Sequence, residues 1–338
     1  EHNLENLRVI VQDGNPISHV GIWEGSILIY GSAFKVGMIG AVCTHPNYRG
    51  RGYASALVKD AFAKMKADHV DFVLVSGFRD LYKRVGCVEA GRIYRYRISR
   101  KNFDVGRRDL SIVPYDKRFL RKLVKIYQRE PVRYRRSLEE FKLLTEREPH
   151  YRGMKFNIYI APRGNSPLAY VATIQLNENT PQIIEYAGPR SIVLRLIDKI
   201  FKILNVDIIE LIVPFHDSDM LYLLEKQDVK KPQSEAPASI AVINPEGFLK
   251  KVQPYLEETI GRTETRRFIS NITNGKIKIY LNGKEMAIQD PRTLTLLFFG
   301  SPEKIKAPPA PKIQVEPYLQ SLSSALPLPT PIYGLNYI

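Results

Sequence analysis

The stretch best equipped for chemistry runs Val42-Cys43-Thr44-His45-Pro46-Asn47-Tyr48-Arg49-Gly50-Arg51-Gly52-Tyr53-Ala54. It leaves a long apolar run, Phe34 to Thr44, that reads as a strand. It turns through small and basic residues and then opens a helical pattern, with Ala54, Leu57, Val58, Ala61, Phe62 and Met65 on one face. A helix start gathers unpaired backbone N–H groups and the positive end of the helix dipole, a setting that suits phosphate. Gly50 and Gly52 allow close backbone approach to a diphosphate, and Arg49 and Arg51 add charge. A Gly-Arg-Gly turn also ends strands for purely structural reasons. Its place between strand and helix is what favours a phosphate site.

Other candidates carry less. Tyr82 could be a reactive phenol or a packed amphipathic aromatic beside a strand. His45 reads as a loop histidine, and Cys43 as a core thiol of its strand rather than a nucleophile. Asp71 and Asp80 are expected to be unpaired surface carboxylates. No His-Glu-x-x-His or similar spacing occurs, so no metal is expected. Two cysteines, Cys43 and Cys87, cannot build a disulfide framework, which points to a reducing cytoplasm.

These residues must be held by a sizeable body. The chain has 338 residues, enough for two or three domains. No stretch reaches 18 consecutive apolar residues, so no membrane partner is expected. Fifty Lys or Arg oppose 35 Asp or Glu, a net +15. From Arg79 to Arg136 there are 19 basic and 6 acidic residues, which is +13 of that total. Such a region attracts polyanions, or is simply a solvated basic surface.

The first part reads strand, glycine turn, helix, parallel strand, with Arg8–Val11, Ser18–Trp23 and Ile27–Tyr30 as earlier strands and Arg92–Ser99 as a closing one. Residues 104–232 repeat this grammar with Gly188-Pro189-Arg190 in place of the glycine turn. Residues 233–338 form a third unit. It has a helix over 245–258, strands to about 289, an Asn282-Gly283 hairpin turn and a proline-rich but apolar tail expected to pack back. The expected class is therefore α/β (α+β), with domains at 1–103, 104–232 and 233–338.

Arg49-Gly50-Arg51-Gly52-Tyr53-Ala54 fits the Arg/Gln-x-x-Gly-x-Gly/Ala signature, and the chain thereby resembles the GNAT superfamily of N-acetyltransferases. The wider phrases "GAVCTHPNYRGRGYASAL" and "LYKRVGC" are similar to its enhanced intracellular survival (Eis) branch. The resemblance implies tandem GNAT-like mixed sheets with flanking helices, the second degenerate and not binding coenzyme A, and a sterol-carrier-like C-terminal domain. It implies acetyl-CoA as co-substrate, with Val42, Cys43 and Thr44 along pantetheine. Arg49, Gly50, Arg51, Gly52, Tyr53, Ala54 and Ser55 would lie at the pyrophosphate, and Gly77 and Phe78 beside the cofactor. Tyr82 would be the general acid, and the terminal carboxylate of Ile338 the base, although such proteins commonly end in an aromatic.

It also implies a homo-oligomer and an acceptor that is a primary amine. Domains of this kind start with a strand and two helices before the hairpin seen at Arg8. Either about fifty residues precede Glu1 or the acceptor site is unusually open. The competing expectation is a non-catalytic basic scaffold binding nucleic acid or an apolar ligand. It is weakened by the lack of a nucleic-acid-binding motif.

Overall fold

The computed structural model describes residues 3–300, 322 and 324–336, apart from 107–109, 147–149, 152–153, 178, 228, 231, 274–275, 282–283 and 289. The Asn282-Gly283 turn and Ile338 therefore lie outside the described residues. The chain forms two compact units, Glu1–Gly91 with Ala236–Pro329, and Arg92–Glu235 with Thr330–Tyr337.

The first unit opens with β1 (Leu7–Gln12), β2 (Asn15–Ile29), β3 (Ser32–Thr44), α1 (Tyr53–Ala67), β4 (Phe72–Val75), α2 (Asp80–Lys83) and β5 (Val88–Ala90). The second holds β6 (Ile93–Ser99), β7 (Val113–Pro114), α3 (Leu120–Tyr127), β8 (Val132–Arg135), α4 (Leu138–Glu146), β9 (His150–Tyr151) and β10 (Met154–Arg163). It continues with β11 (Ser166–Asn177), β12 (Thr180–Ala187), α5 (Arg190–Leu204), β13 (Ile208–Pro214), α6 (Ser218–Glu225) and β14 (Gln233–Glu235). The first unit then resumes with β15 (Ala238–Val242), α7 (Pro245–Ile260), α8 (Arg262–Phe268), β16 (Ile269–Thr273), β17 (Lys276–Leu281), β18 (Lys284–Ile288) and α9 (Pro291–Phe299).

The main sheet of the first unit runs β1-β2-β3-β4-β15-β5, with β3 and β4 parallel and β15 antiparallel to both its neighbours. A separate three-stranded sheet runs β16-β17-β18. β4 is buried at every position, as a central strand covered on both faces must be. Val73 and Val75 meet Leu57, Val58, Ala61 and Met65 of α1 on one face. On the other, Phe34 and Phe72 join Phe248 of α7 and Phe298 and Phe299 of α9, ring centroids 5.0–6.1 Å apart. The second unit's sheet runs β14-β6-β13-β12-β11-β10-β7, with β12 and β13 parallel and β6 antiparallel beside them. Each unit is thus a mixed α/β sheet with a parallel pair at its centre.

Three expectations are revised. Arg92–Ser99 does not close the first sheet. As β6 it pairs with β13 and β14 in the second unit, and β15, from far along the chain, takes the place between β4 and β5. Residues 236–329 accordingly group with 1–91, a division different from boundaries at 103 and 232. Gly25-Ser26 is not a break in β2, because the glycine accommodates an aromatic ring. A Cβ there would stand 2.1 Å from the Trp23 ring. Asp71 is fully buried rather than a surface group. Its carboxylate accepts the Lys35 N–H at 2.7 Å and Lys251 Nζ at 2.6 Å, and its carbonyl accepts the N–H groups of Ile243 and Asn244. It ties β3, β4 and the start of α7 together. Asp80 is exposed, as expected, but not unpaired: Lys83 Nζ lies 3.5 Å from its carboxylate, one helical turn on.

The second unit is pinned by a buried ion pair. Arg136 grips Glu185 through two hydrogen bonds of 2.9 and 2.7 Å, lies 4.1 Å from the Tyr127 ring centroid and donates to Asn336 Oδ1 at 2.7 Å. Glu185 also accepts from Tyr170 Oη and from the Leu335 N–H, which seats the tail in the core beside Phe119 and Ile158. Burial pushes the Glu185 carboxyl up, but the Arg136 charge and these donors outweigh it and hold the group below its ordinary value.

Glu185→Ala should destabilise this unit by about 3–5 kcal/mol, since it strands a buried guanidinium, whereas Arg136→Met with Glu185→Met should cost much less. Urea unfolding measures both. The stabilisation from a lowered carboxyl is complete above the unfolded value of about 4.3 and vanishes as pH drops through the folded one. Acid titration should therefore show a loss of stability below about pH 4.3 that the double variant lacks.

Candidate active site

β3 outruns its parallel partner. Val36–Ile39 pair with Phe72–Val75, and the strand then continues to Thr44 past the end of β4. A bulge sits at this parting, where Gly21 faces Gly40 but His19 faces Cys43, and Ala41 adopts φ 50°. Along Val42-Cys43-Thr44 no β4 strand takes up the backbone on that side, so an extended ligand can add itself as a strand would. Ser18 Oγ fixes the Cys43 carbonyl from β2 at 3.0 Å, and Arg49 Nε donates to the Thr44 carbonyl at 3.2 Å. Cys43 is exposed rather than the core thiol expected, because β3 here has run past the end of β4. Its partner across the ladder is His19, so the two side chains share a face.

The turn that follows is built around two glycines. His45 caps the short 3-10 turn Pro46–Tyr48, its Nδ1 accepting the Asn47 N–H at 3.4 Å, in keeping with a loop role. Gly50 and Gly52 have φ of 78° and 83°, a region other residues enter at a cost of roughly 1–2 kcal/mol. A Cβ on either would meet nothing within 4 Å, so the space beside the turn is open.

Gly52 is the N-cap of α1 and has no side chain to offer. The Ala56 N–H is bonded to the Gly52 carbonyl at 3.0 Å, and the N–H groups from Gly52 to Ser55 precede the first helical bond. Arg51 lies over the Tyr48 ring at 5.2 Å, and Arg84 donates to Ser55 Oγ at 3.4 Å. Open backbone donors, a 15-residue helix dipole and the guanidinium groups of Arg49, Arg51 and Arg84 make a fit for a diphosphate. Arg84 was not anticipated; its long-range contact leaves no sequence signal.

Past β4 the chain passes Gly77, whose carbonyl accepts Ser239 Oγ of β15 at 2.7 Å, and the exposed Phe78. A Cβ on Gly77 would stand 3.1 Å from Cε2 of Tyr82, so the backbone runs directly over that ring. Tyr82 lies on α2, 3% exposed, in the core cluster with Leu57, Val58 and Val75. Its Oη accepts from Arg79 Nη2 at 3.2 Å, with the guanidinium 5.6 Å from the ring centroid. Cys87 beside it is no nucleophile, because burial, outweighing the Arg292 charge, pushes its thiol up to about 12. A cavity of about 890 Å³ elsewhere in this unit, lined by Phe62, Lys66, Val85, Pro245 and Arg292, takes in none of these site residues. Among the described residues no three His, Cys, Asp or Glu side chains gather as metal ligands.

The matching turn of the second unit is filled by its own side chains. Between β12 and α5, the Gly188 N–H donates to Glu130 Oε1 at 2.9 Å. Arg190 clamps the same carboxylate at 3.0 and 2.6 Å and reaches Asp217 Oδ1 at 3.0 Å. A carboxylate here takes the donors that the first unit leaves open.

Comparison with known proteins follows this division. Residues 1–90 match the model of the acetyltransferase (GNAT) domain. The match covers 90 of the 338 residues, from the start of the chain through β5. No curated protein sequence matches the chain. Among solved structures, a conserved protein of unknown function from Enterococcus faecalis, titled a probable N-acyltransferase, superposes with TM-score 0.60 at 18% identity. The match covers 74% of this chain and 65% of that one, so the chain spans about two thirds of its length. A GCN5-related N-acetyltransferase from Anabaena variabilis gives 0.58 at 16%, and Eis1 from Mycobacterium abscessus gives 0.54 at 16%. Each of these covers 84% of this chain and 75% of its own. The likeness is one of fold. No helix among the described residues is long and apolar enough to cross a membrane.

Gly52→Val would force a β-branched residue to φ 83° and place methyl groups where the diphosphate approaches. Calorimetry with coenzyme A should show at least tenfold weaker binding, roughly 1.4 kcal/mol. Unchanged affinity would remove the turn from the site.

Proposed function

We propose that the chain is an acetyl-CoA-dependent N-acetyltransferase of the Eis type that transfers acetyl directly to a primary amine in a ternary complex. The observation that carries this is the uncapped start of α1 at Gly52, open beside the turn and next to a strand that has parted from its neighbour. Pantetheine lies along Val42, Cys43 and Thr44, and the pyrophosphate at Arg49 to Ser55, with Gly77 and Phe78 flanking. Acetyl-CoA supplies an activated thioester; the residues supply position and proton transfer.

Tyr82 is the general acid. Its ring is fixed under Gly77, and its oxygen is reached from the side of the exposed Arg79. An alkylammonium, with pKa near 10, must lose a proton before it attacks. The terminal carboxylate of Ile338 is the base in this reading. Support comes from the tail just before it, where Gly334, Leu335 and Asn336 are buried and tied to Glu185 and Arg136. The second unit does not bind coenzyme A, since Glu130 already occupies its turn. Within residues 233–338, the stretch that follows β15 contributes the sterol-carrier-like part, and the protein acts as a cytoplasmic homo-oligomer.

A polyanion-binding scaffold fits the geometry less well. The basic stretch is divided between the two units at Gly91, Arg136 is buried, and Arg95 is paired with Glu210 and Glu235.

Tyr82→Phe should lower kcat by about a hundredfold or more while leaving coenzyme A affinity within about twofold, as expected for a lost general acid. Thiol release from acetyl-CoA measures the first and calorimetry the second. Adding one residue after Ile338 moves the carboxylate by about 3.5 Å of chain, and kcat should drop at least tenfold. Undiminished turnover would leave the tail with a structural role alone.

A further inference from the structure

The Arg79–Tyr82 pair carries more than the family signature asks for. Arg79 precedes α2 in an extended conformation, and Tyr82 is the third residue of that helix. This i, i+3 spacing brings the guanidinium to the phenol oxygen at 3.2 Å and over the ring at 5.6 Å. The Tyr82 ring cannot swing away, held by the backbone at Gly77 on one side and by Leu57, Val58 and Val75 around it. A guanidinium only donates, so it takes a lone pair of the oxygen and leaves the hydroxyl hydrogen to point elsewhere. Among the described residues neither partner has a carboxylate within ion-pair distance. Among the described residues, the group that could offer Arg79 an anion is therefore the oxygen that Tyr82 itself would bear after giving up its proton.

We propose that Arg79 is a positioning residue that acts through Tyr82, aiming the phenol hydrogen at the departing sulfur and holding the tyrosinate that remains. This rests on Tyr82 as the general acid. In the transfer the amine lone pair forms the C–N bond to the thioester carbon, and the C–S bond breaks with its electrons on sulfur. Tyr82 gives its proton to that sulfur, and the proton lost by the amine goes to the base. The proton then returns from the base through water to the tyrosinate, so no further reactant is consumed. A hydrogen bond to a charged group is worth enough to change a rate by about tenfold even at an exposed site.

The test compares the intact chain with Arg79→Gln, Arg79→Lys, Tyr82→Phe and the Arg79→Gln/Tyr82→Phe double variant. Acetyl-CoA is followed by thiol release with benzylamine or water as acceptor, and coenzyme A binding by calorimetry. Arg79→Gln should lower kcat about tenfold and leave coenzyme A affinity within twofold, and Arg79→Lys should recover about half of the loss on a logarithmic scale. In the Tyr82→Phe background, Arg79→Gln should change nothing further. A full tenfold loss in that background would overturn the proposal. Weaker coenzyme A binding with unchanged kcat would also overturn it, by making Arg79 a phosphate contact. Tyr82→Phe turning over at the full rate would sink the general-acid reading itself, and the Arg79 single variant reports separately from that result.

Discussion

A helix that begins on glycine leaves its first N–H groups without a side-chain oxygen, and those donors must find water or an anion. Left dry and unpaired, each would cost about 1–3 kcal/mol. In the first unit Gly52 keeps them open and the space beside them empty, while Arg49, Arg51 and Arg84 raise the local potential. The left-handed geometry at Gly50 and Gly52 is what turns the chain from β3 into α1 without a Cβ in the way. β3 runs into that turn after parting from β4, and past the end of β4 the ring of Tyr82 lies under Gly77.

The second unit answers the same constraint differently. Its parallel pair and following helix repeat the arrangement, yet the donor at Gly188 is satisfied by Glu130, itself neutralised by Arg190. A carboxylate built into the chain does there what a ligand phosphate would do in the first unit. The second unit's core then serves another end, closing over the tail through the fully enclosed Arg136 and Glu185 pair.

Much of this was legible locally. The β3–turn–α1 segment could be read because hydrophobic period, glycine placement and helix start all lie within about thirty residues. Arg79 could have been read too, since an arginine three residues before the tyrosine falls on one helical turn. Other features depend on partners far away in sequence. Ser239 meets Gly77 across 162 positions, Arg136 meets Asn336 across 200, and neither residue type announces its mate. Asp71 looked like a surface acid because its four partners come from three separate segments. Ser18–Trp23 and Ile27–Tyr30 read as separate strands because a sequence does not show that the Trp23 ring lies across Gly25. β6 and β15 were assigned to the wrong sheets for a related reason. A strand's alternation tells which face is buried, but not which neighbour it pairs with.

That last feature bears on how the molecule is made. The strand that fills the gap between β4 and β5 is synthesised about 150 residues after β5. At the usual pace of translation, about 5–20 residues per second, the nascent first sheet waits roughly seven to thirty seconds with two unpaired edges. Bare strand edges are templates for adding foreign strands. The ribosome-bound chain thus has an interval in which chaperone cover matters most, and it ends only when β15 emerges.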